Sequence, residues 1–147
     1  MTLNEQISAE LKIAMKSGDA KTTGLLRFLM AQIQNKTKEK FGAKEGVLSD
    51  EEVLDVLKRE AKKRKEAINL FEQGGRKDLA DKEKEELALM GKYLPAELGK
   101  DEIRRVVKEV ISLGASDFGR TMKEAMARLK GQADGKLVSE IIKEELG

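Results

Sequence analysis

Through most of this chain apolar residues recur three and four positions apart, and that spacing predicts amphipathic helices. Leu3, Ile7, Leu11, Ala14 and Met15 predict a first helix that ends near Gly18, and Asp19 is placed to cap a second, carrying Leu25, Leu26, Leu29, Met30 and Ile33. The two should pair antiparallel. From Asn35 to Gly46 the chain is lysine-rich, holds two glycines and sustains no stripe, so an exposed, mobile loop is expected there. Ser49-Asp50-Glu51-Glu52 reads as a capping box. It opens a long helix with a seam of Leu54, Leu57, Ala61, Arg64, Ile68 and Phe71, ended by Gly74-Gly75. A further helix from about Lys77 to Tyr93 has Leu79, Leu87, Met90 and Leu94 as inner positions, and Pro95 stops it.

After a linker at Leu94–Gly99, three more stripes follow. Ile103, Val106, Val107, Val110 and Ile111 form the first. Met122, Ala125, Met126 and Leu129 form the second, with Ser116 as a possible cap and Gly131 where the helix should end. Leu137, Val138, Ile141, Ile142 and Leu146 form the third, restarting after Asp134. The expected fold is all-α, with an N-terminal multihelical lobe over 1–94 and a small three-helix lobe over 96–147.

Composition sharpens this picture by exclusion. Charged residues make up 38% of the chain and aromatics 3%, which suits helices better than sheets. Cysteine and histidine are absent, removing disulfides, thiol chemistry and the commonest acid/base residue and metal ligand. No metal or cofactor is expected. No apolar run approaches the roughly 20 residues that span a bilayer, so no membrane association is expected and a cytoplasmic location is the default.

The net charge of +2 conceals segregation. Residues 12–44 hold eight Lys/Arg against two acids, residues 58–66 six against two, and residues 118–136 five against two, whereas residues 72–102 hold six against nine. Such basic blocks are either solvated helix faces or a footprint for phosphate, whose neutralisation releases condensed counterions.

The most informative chemistry lies in the turn Gly131-Gln132-Ala133-Asp134-Gly135-Lys136. Gly131 and Gly135 can serve turn geometry alone, or can also let an RNA backbone approach Lys130 and Lys136. Arg120 and Lys123 lie three apart on the preceding helix, and with Arg128, Lys130 and Lys136 they could form one cationic edge. The spacing is not that of a Walker loop, so nucleotide hydrolysis is excluded. No catalytic residue is identified, because no Ser or Thr has a visible base and the carboxylates lie in solvated stretches. Arg64, aimed at the seam, is either an ion pair or ligand contact inside an inter-helix groove or a packed stem whose head reaches water or a neighbouring Glu. Met30, Met90, Met122 and Met126 read as core fillers, and Tyr93 as packing rather than base stacking.

The segments DFGRTM, KGQADGK and VSEIIKEEL resemble the C-terminal module of the GatB/YqeY family. KRKEAINLFEQGGRKDL and EKEELALMGKYLPAEL extend the likeness to the YqeY-type branch over nearly the whole chain. In that family the module also ends the B subunit of the glutamine-dependent aspartyl/glutamyl-tRNA amidotransferase, where it is associated with tRNA binding. The resemblance therefore implies binding of tRNA or structured RNA, an accessory link to tRNA amidation or translation components, and a carbon-nitrogen ligase label inherited rather than performed. The family pattern favours Arg where this chain has Gln132, which removes a cation from the turn. The competing reading is a helical protein-interaction adaptor with no nucleic-acid role.

Overall fold

The Thr2 hydroxyl accepts from the Glu5 N–H at 3.1 Å and the Glu5 carboxylate accepts from the Thr2 N–H at 3.4 Å, so a capping box starts helix α1, Leu3–Ser17. Gly18, at φ 75°, ends it in the left-handed conformation that glycine adopts without cost, and Asp19 caps α2, Ala20–Phe41. The computed structural model describes residues 1–130 and 132–147. Further along the chain are α3 (Asp50–Gln73), α4 (Lys77–Met90), a 3₁₀ turn (Gly91–Tyr93), α5 (Lys100–Ser112), α6 (Phe118–Leu129) and α7 (Gly135–Leu146). The fold is all-α, with no strand among the described residues. The chain divides into two compact units, Met1–Leu94 and Pro95–Gly147.

In the first unit α1 pairs with α2 and α3 with α4, and α1 and α2 both contact α3. Ile7, Leu26, Leu29, Val53, Leu57 and Met90 are almost wholly removed from water at its centre. The capping box at Ser49 and Glu52 forms as its sequence predicts.

The lysine-rich segment Asn35–Gly46 is not the mobile loop expected. It is helical through Phe41 because Lys, Gln and Glu are good helix formers and because Thr37 and Phe41, four and eight residues after Ile33, prolong the inward stripe. Phe41 packs against the core, and Lys40 meets Glu52 at 2.8 Å. Gly46 lies so close under the Phe41 ring that a Cβ there would fall 2.5 Å from it, so even the connection is held by packing.

The α3 seam buries Leu57, Ala61, Arg64 and Ile68 as the spacing predicts, but Val53 and Val56 take the first turns and Leu54 is only half-buried. In α4 the interior falls to Ala80 and Met90, with Leu79 and Leu87 half-buried. That helix tightens to a 3₁₀ turn at Gly91 instead of continuing as α to Tyr93.

In the second unit α5, α6 and α7 pack pairwise around Ile103, Val107, Ala125, Leu129, Val138, Ile141 and Ile142. Met122 and Met126 fill the margin of this core. Asp117, not Ser116, caps α6: its carboxylate accepts the Arg120 N–H at 2.8 Å, the spacing of an N-cap to the third helical residue. The Leu98 N–H donates to the Gln132 carbonyl at 2.7 Å, which clips the end of the connecting stretch onto the α6–α7 junction.

Candidate nucleic-acid interface

The α6–α7 junction is built by two caps. Leu129 is followed by Lys130 in the left-handed region, at φ 46° and ψ 43°, its N–H donating to the Met126 carbonyl at 3.1 Å. Asp134 then accepts the Lys136 N–H at 3.2 Å and starts α7. Gly131 lies outside the described residues. Gly135 is the first residue of α7 and does not have a positive φ, so the left-handed position described in this junction belongs to a lysine. A Cβ at Gly135 would stand 3.8 Å from the Met122 methyl, an ordinary contact.

Around this frame the five candidate cations are all exposed, yet they do not share one edge. Arg120 pairs with Glu124 at 3.1 Å, one turn along the outer face of α6. Arg128 pairs with Glu109 of α5 at 3.1 Å. Five residues separate Lys123 from Arg128, about 140° around a helix, so Lys123 faces away from the side that meets α5. Among the described residues no acid lies within ion-pair distance of Lys123 or Lys136. Exposed pairs such as those of Arg120 and Arg128 are worth only about 0–1 kcal/mol, so both arginines can exchange a carboxylate for a phosphate at little cost. The N-terminus of α7 is less open to an anion, since its own Asp134 occupies it.

The unit Pro95–Gly147 holds ten Lys/Arg and ten Asp/Glu, so the cationic character of this junction is local. Among the described residues no group of three or more acidic side chains is placed to hold a metal ion. No helix among them is long and apolar enough to cross a membrane.

The seam residue Arg64 makes ion pairs both with a neighbouring Glu of its own helix and with a Glu of α4 across the inter-helix groove. Its guanidinium donates to Glu86 at 3.1 Å and to the Glu60 carboxylate at 3.3 Å and carbonyl at 3.1 Å. Glu60 is buried on the same helix, and no hydrophobic periodicity foretells it. Tyr93 packs in the first core, its hydroxyl donating to Glu10, which Lys92 approaches at 2.6 Å. Burial opposes the charge on Glu10, but hydrogen bonds from Lys92 and Tyr93 outweigh it and hold the carboxyl below its ordinary range. Burial, and then the bond to Glu10 and its charge, push the Tyr93 phenol well above its ordinary value.

The family model described as "Yqey-like protein" matches residues 4–146. The chain belongs to the YqeY-like family. Among its relatives is "Altered inheritance of mitochondria protein 41, mitochondrial" of Pyrenophora tritici-repentis, 28% identical over 149 residues, with 97% of this chain and 80% of that protein covered. An uncharacterized protein of Schizosaccharomyces pombe is 33% identical over 93 residues, covering 63% of this chain and 72% of its own length. A glutamyl-tRNA(Gln) amidotransferase subunit of Aeropyrum pernix is 37% identical over 57 residues, a match to 33% of this YqeY-like chain and only 9% of that much longer protein. The YqeY-like protein thus shares a short module with an amidotransferase component and matches little of the rest of it.

Proposed function

We propose that this YqeY-like protein binds tRNA or another structured RNA by phosphate contacts at the α6–α7 junction and serves tRNA-dependent amidation or translation as an accessory, without catalysing a reaction itself. The observation that carries the reading is that Lys123 on α6 and Lys136 at the start of α7 are both exposed with no acid in ion-pair reach among the described residues. Support also comes from the likeness to an Aeropyrum protein whose name places it with glutamyl-tRNA(Gln). On this reading the carbon-nitrogen ligase activity stays with the relative. A cytoplasmic site of action suits the reading, while the name of the Pyrenophora relative places that protein in mitochondria.

The test is filter binding of total tRNA at several salt concentrations. Lys123→Ala with Lys136→Ala should leave helicity unchanged and make the log-log salt slope shallower by about two units, roughly one per phosphate contact. Gln132→Arg should strengthen binding modestly. Unaltered binding by the double variant at every salt concentration would remove the junction from the interface.

The adaptor reading is favoured by one other observation in this unit. Phe118 and Leu146 are 39% and 37% exposed, and Lys143, three residues before Leu146, lies over the Phe118 ring at 5.9 Å, which leaves an apolar spot beside α7. Burial of such a spot by a partner helix would depend little on salt.

A further inference from the structure

Aromatic residues are few in this chain, so an exposed one calls for a reason. Phe28, on α2, is 43% exposed. The Arg64 guanidinium lies 5.3 Å from its ring centre and leaves the rest of the ring to solvent. One turn earlier on the same helix face is Gly24, and nothing stands within 4 Å of where its Cβ would be. Helical side chains lean toward the preceding turn, so Phe28 leans over the turn that Gly24 leaves bare. A glycine inside an exposed helix is unfavourable, and no packing contact here offsets it. An open space beside an aromatic ring is what this position provides.

The surroundings of the ring are cationic. Two contacts, Phe28 with Arg64 and Lys40 with Glu52, show that α2 and α3 run antiparallel along this edge. Arg59 lies seven residues after Glu52 and four before Lys63, so both face the same edge of α3, and Lys36 lies on α2 between Phe28 and Lys40. Some of the acids nearby are engaged. Glu60 is turned inward to Arg64 and Lys63, and Glu52 is held by Lys40, which leaves Glu39, Glu66 and Asp55, one turn before Arg59, as the exposed acids close by. The buried pair of Glu60 and Arg64 cancels within residues 58–66, so the five remaining Lys/Arg against Glu66 keep the outward face of that stretch basic.

We infer that the α2–α3 edge of the first unit is a second RNA contact, in which an unpaired base stacks on Phe28 while Arg59, Lys63 and Lys36 meet the flanking phosphates. This rests on the proposal that the protein binds RNA, and it adds a recognition mode that the α6–α7 junction, with its cations alone, does not offer. Stacking tolerates any base, so the edge would favour single-stranded segments over a continuous duplex without reading their sequence. An exposed ring with an Arg over part of it and further cations along the same helix edge has the chemistry of a single-strand platform.

The chain contains no tryptophan, so Phe28→Trp installs one reporter at the edge. In the full-length protein its fluorescence should be quenched by short oligouridylate and not by heparin, a polyanion without bases. Phe28→Leu should weaken oligouridylate binding by roughly tenfold. Arg59→Ala with Lys63→Ala should make the salt slope shallower by about two units. Gly24→Leu should melt at or above the temperature of the parent, since leucine is the better helix former, yet bind oligouridylate less well because its side chain covers the ring. If the parent binds RNA but Phe28→Leu and Gly24→Leu bind as tightly, the inference is overturned and the junction proposal stands. If the parent binds neither tRNA nor oligouridylate at low salt, both fail. Quenching by an acidic amphipathic peptide and not by oligouridylate would reassign the edge to a protein partner and overturn the inference.

Discussion

Lys130 holds a conformation that L-residues with a side chain adopt at a cost of about 1–2 kcal/mol, and glycine would relieve it, less about 0.5–1 kcal/mol of unfolded-chain entropy. Lys130→Gly should therefore raise stability by roughly 0.5 kcal/mol, a small increase in thermal midpoint, while removing one cation from the junction. If the lysine is kept for RNA, the variant will be more stable and bind tRNA less well. Loss of stability would show that its aliphatic stem packs. Tyr93 permits an equally local test because it is the sole tyrosine. Its folded value is raised from 10.0, so the stability it contributes is complete below pH 10 and is lost as pH climbs toward the folded value. Glu10 is depressed from 4.5, so its contribution is present above pH 4.5 and is lost as pH falls through the lower folded value. In an absorbance titration the phenolate should appear only above the ordinary tyrosine range, and Glu10→Gln should bring the midpoint down by removing the adjacent charge.

Within α3 the decisive interaction is the buried pair of Glu60 and Arg64, with Glu86 of α4 as third member. Breaking such a pair from one side strands a charge in the interior, so Arg64→Ala should destabilise by about 3 kcal/mol. Arg64→Met with Glu60→Gln should recover most of that loss, because no unpaired charge is left buried. Urea unfolding of the two variants and of Glu60→Gln gives the comparison, and equal losses for the single Arg64 variant and the double would show that the pair is not coupled. The element scale is also where sequence was most and least legible. Helix ends were plain wherever a short polar side chain or a glycine marked the position, as at Asp19, Ser49 and Gly18. At the start of α6 the sequence pattern points to Ser116, but the residue whose carboxylate reaches the Arg120 N–H is Asp117. The extension of α2 to Phe41 was hidden because its inward stripe continues through a threonine and one aromatic among lysines, too sparse to register as periodic. Buried Glu60 was illegible in principle, since its partner and its burial come from tertiary packing. Of the candidate interface, the cations and the i,i+4 spacing of Arg120 and Glu124 could be read from the sequence, but not the pair of Arg128 with Glu109, because that contact joins separate helices.

At the scale of the whole chain, packing divides at Pro95. Met1–Leu94 carries nineteen Lys/Arg against seventeen acids, and Pro95–Gly147 is neutral. Each unit also has its own buried cluster, with Leu98 clipped by a backbone hydrogen bond to Gln132 of its own unit. We expect Pro95–Gly147 to fold alone, but with little margin, because a chain of about 50 residues buries a smaller fraction of its surface than a longer one. Circular dichroism should find the fragment helical, with a cooperative melt below that of the full chain; the absence of helix at low temperature would show that its core depends on the remainder. The same fragment then separates the two RNA contacts. If the α6–α7 junction is one of them, the fragment should bind total tRNA weakly, with a salt slope set by the junction cations alone. The full chain should show a steeper slope, by about one unit for each phosphate met by Arg59, Lys63 and Lys36. A folded fragment whose slope equals that of the full chain would confine recognition to the C-terminal unit. One that is folded yet silent would move it to the α2–α3 edge.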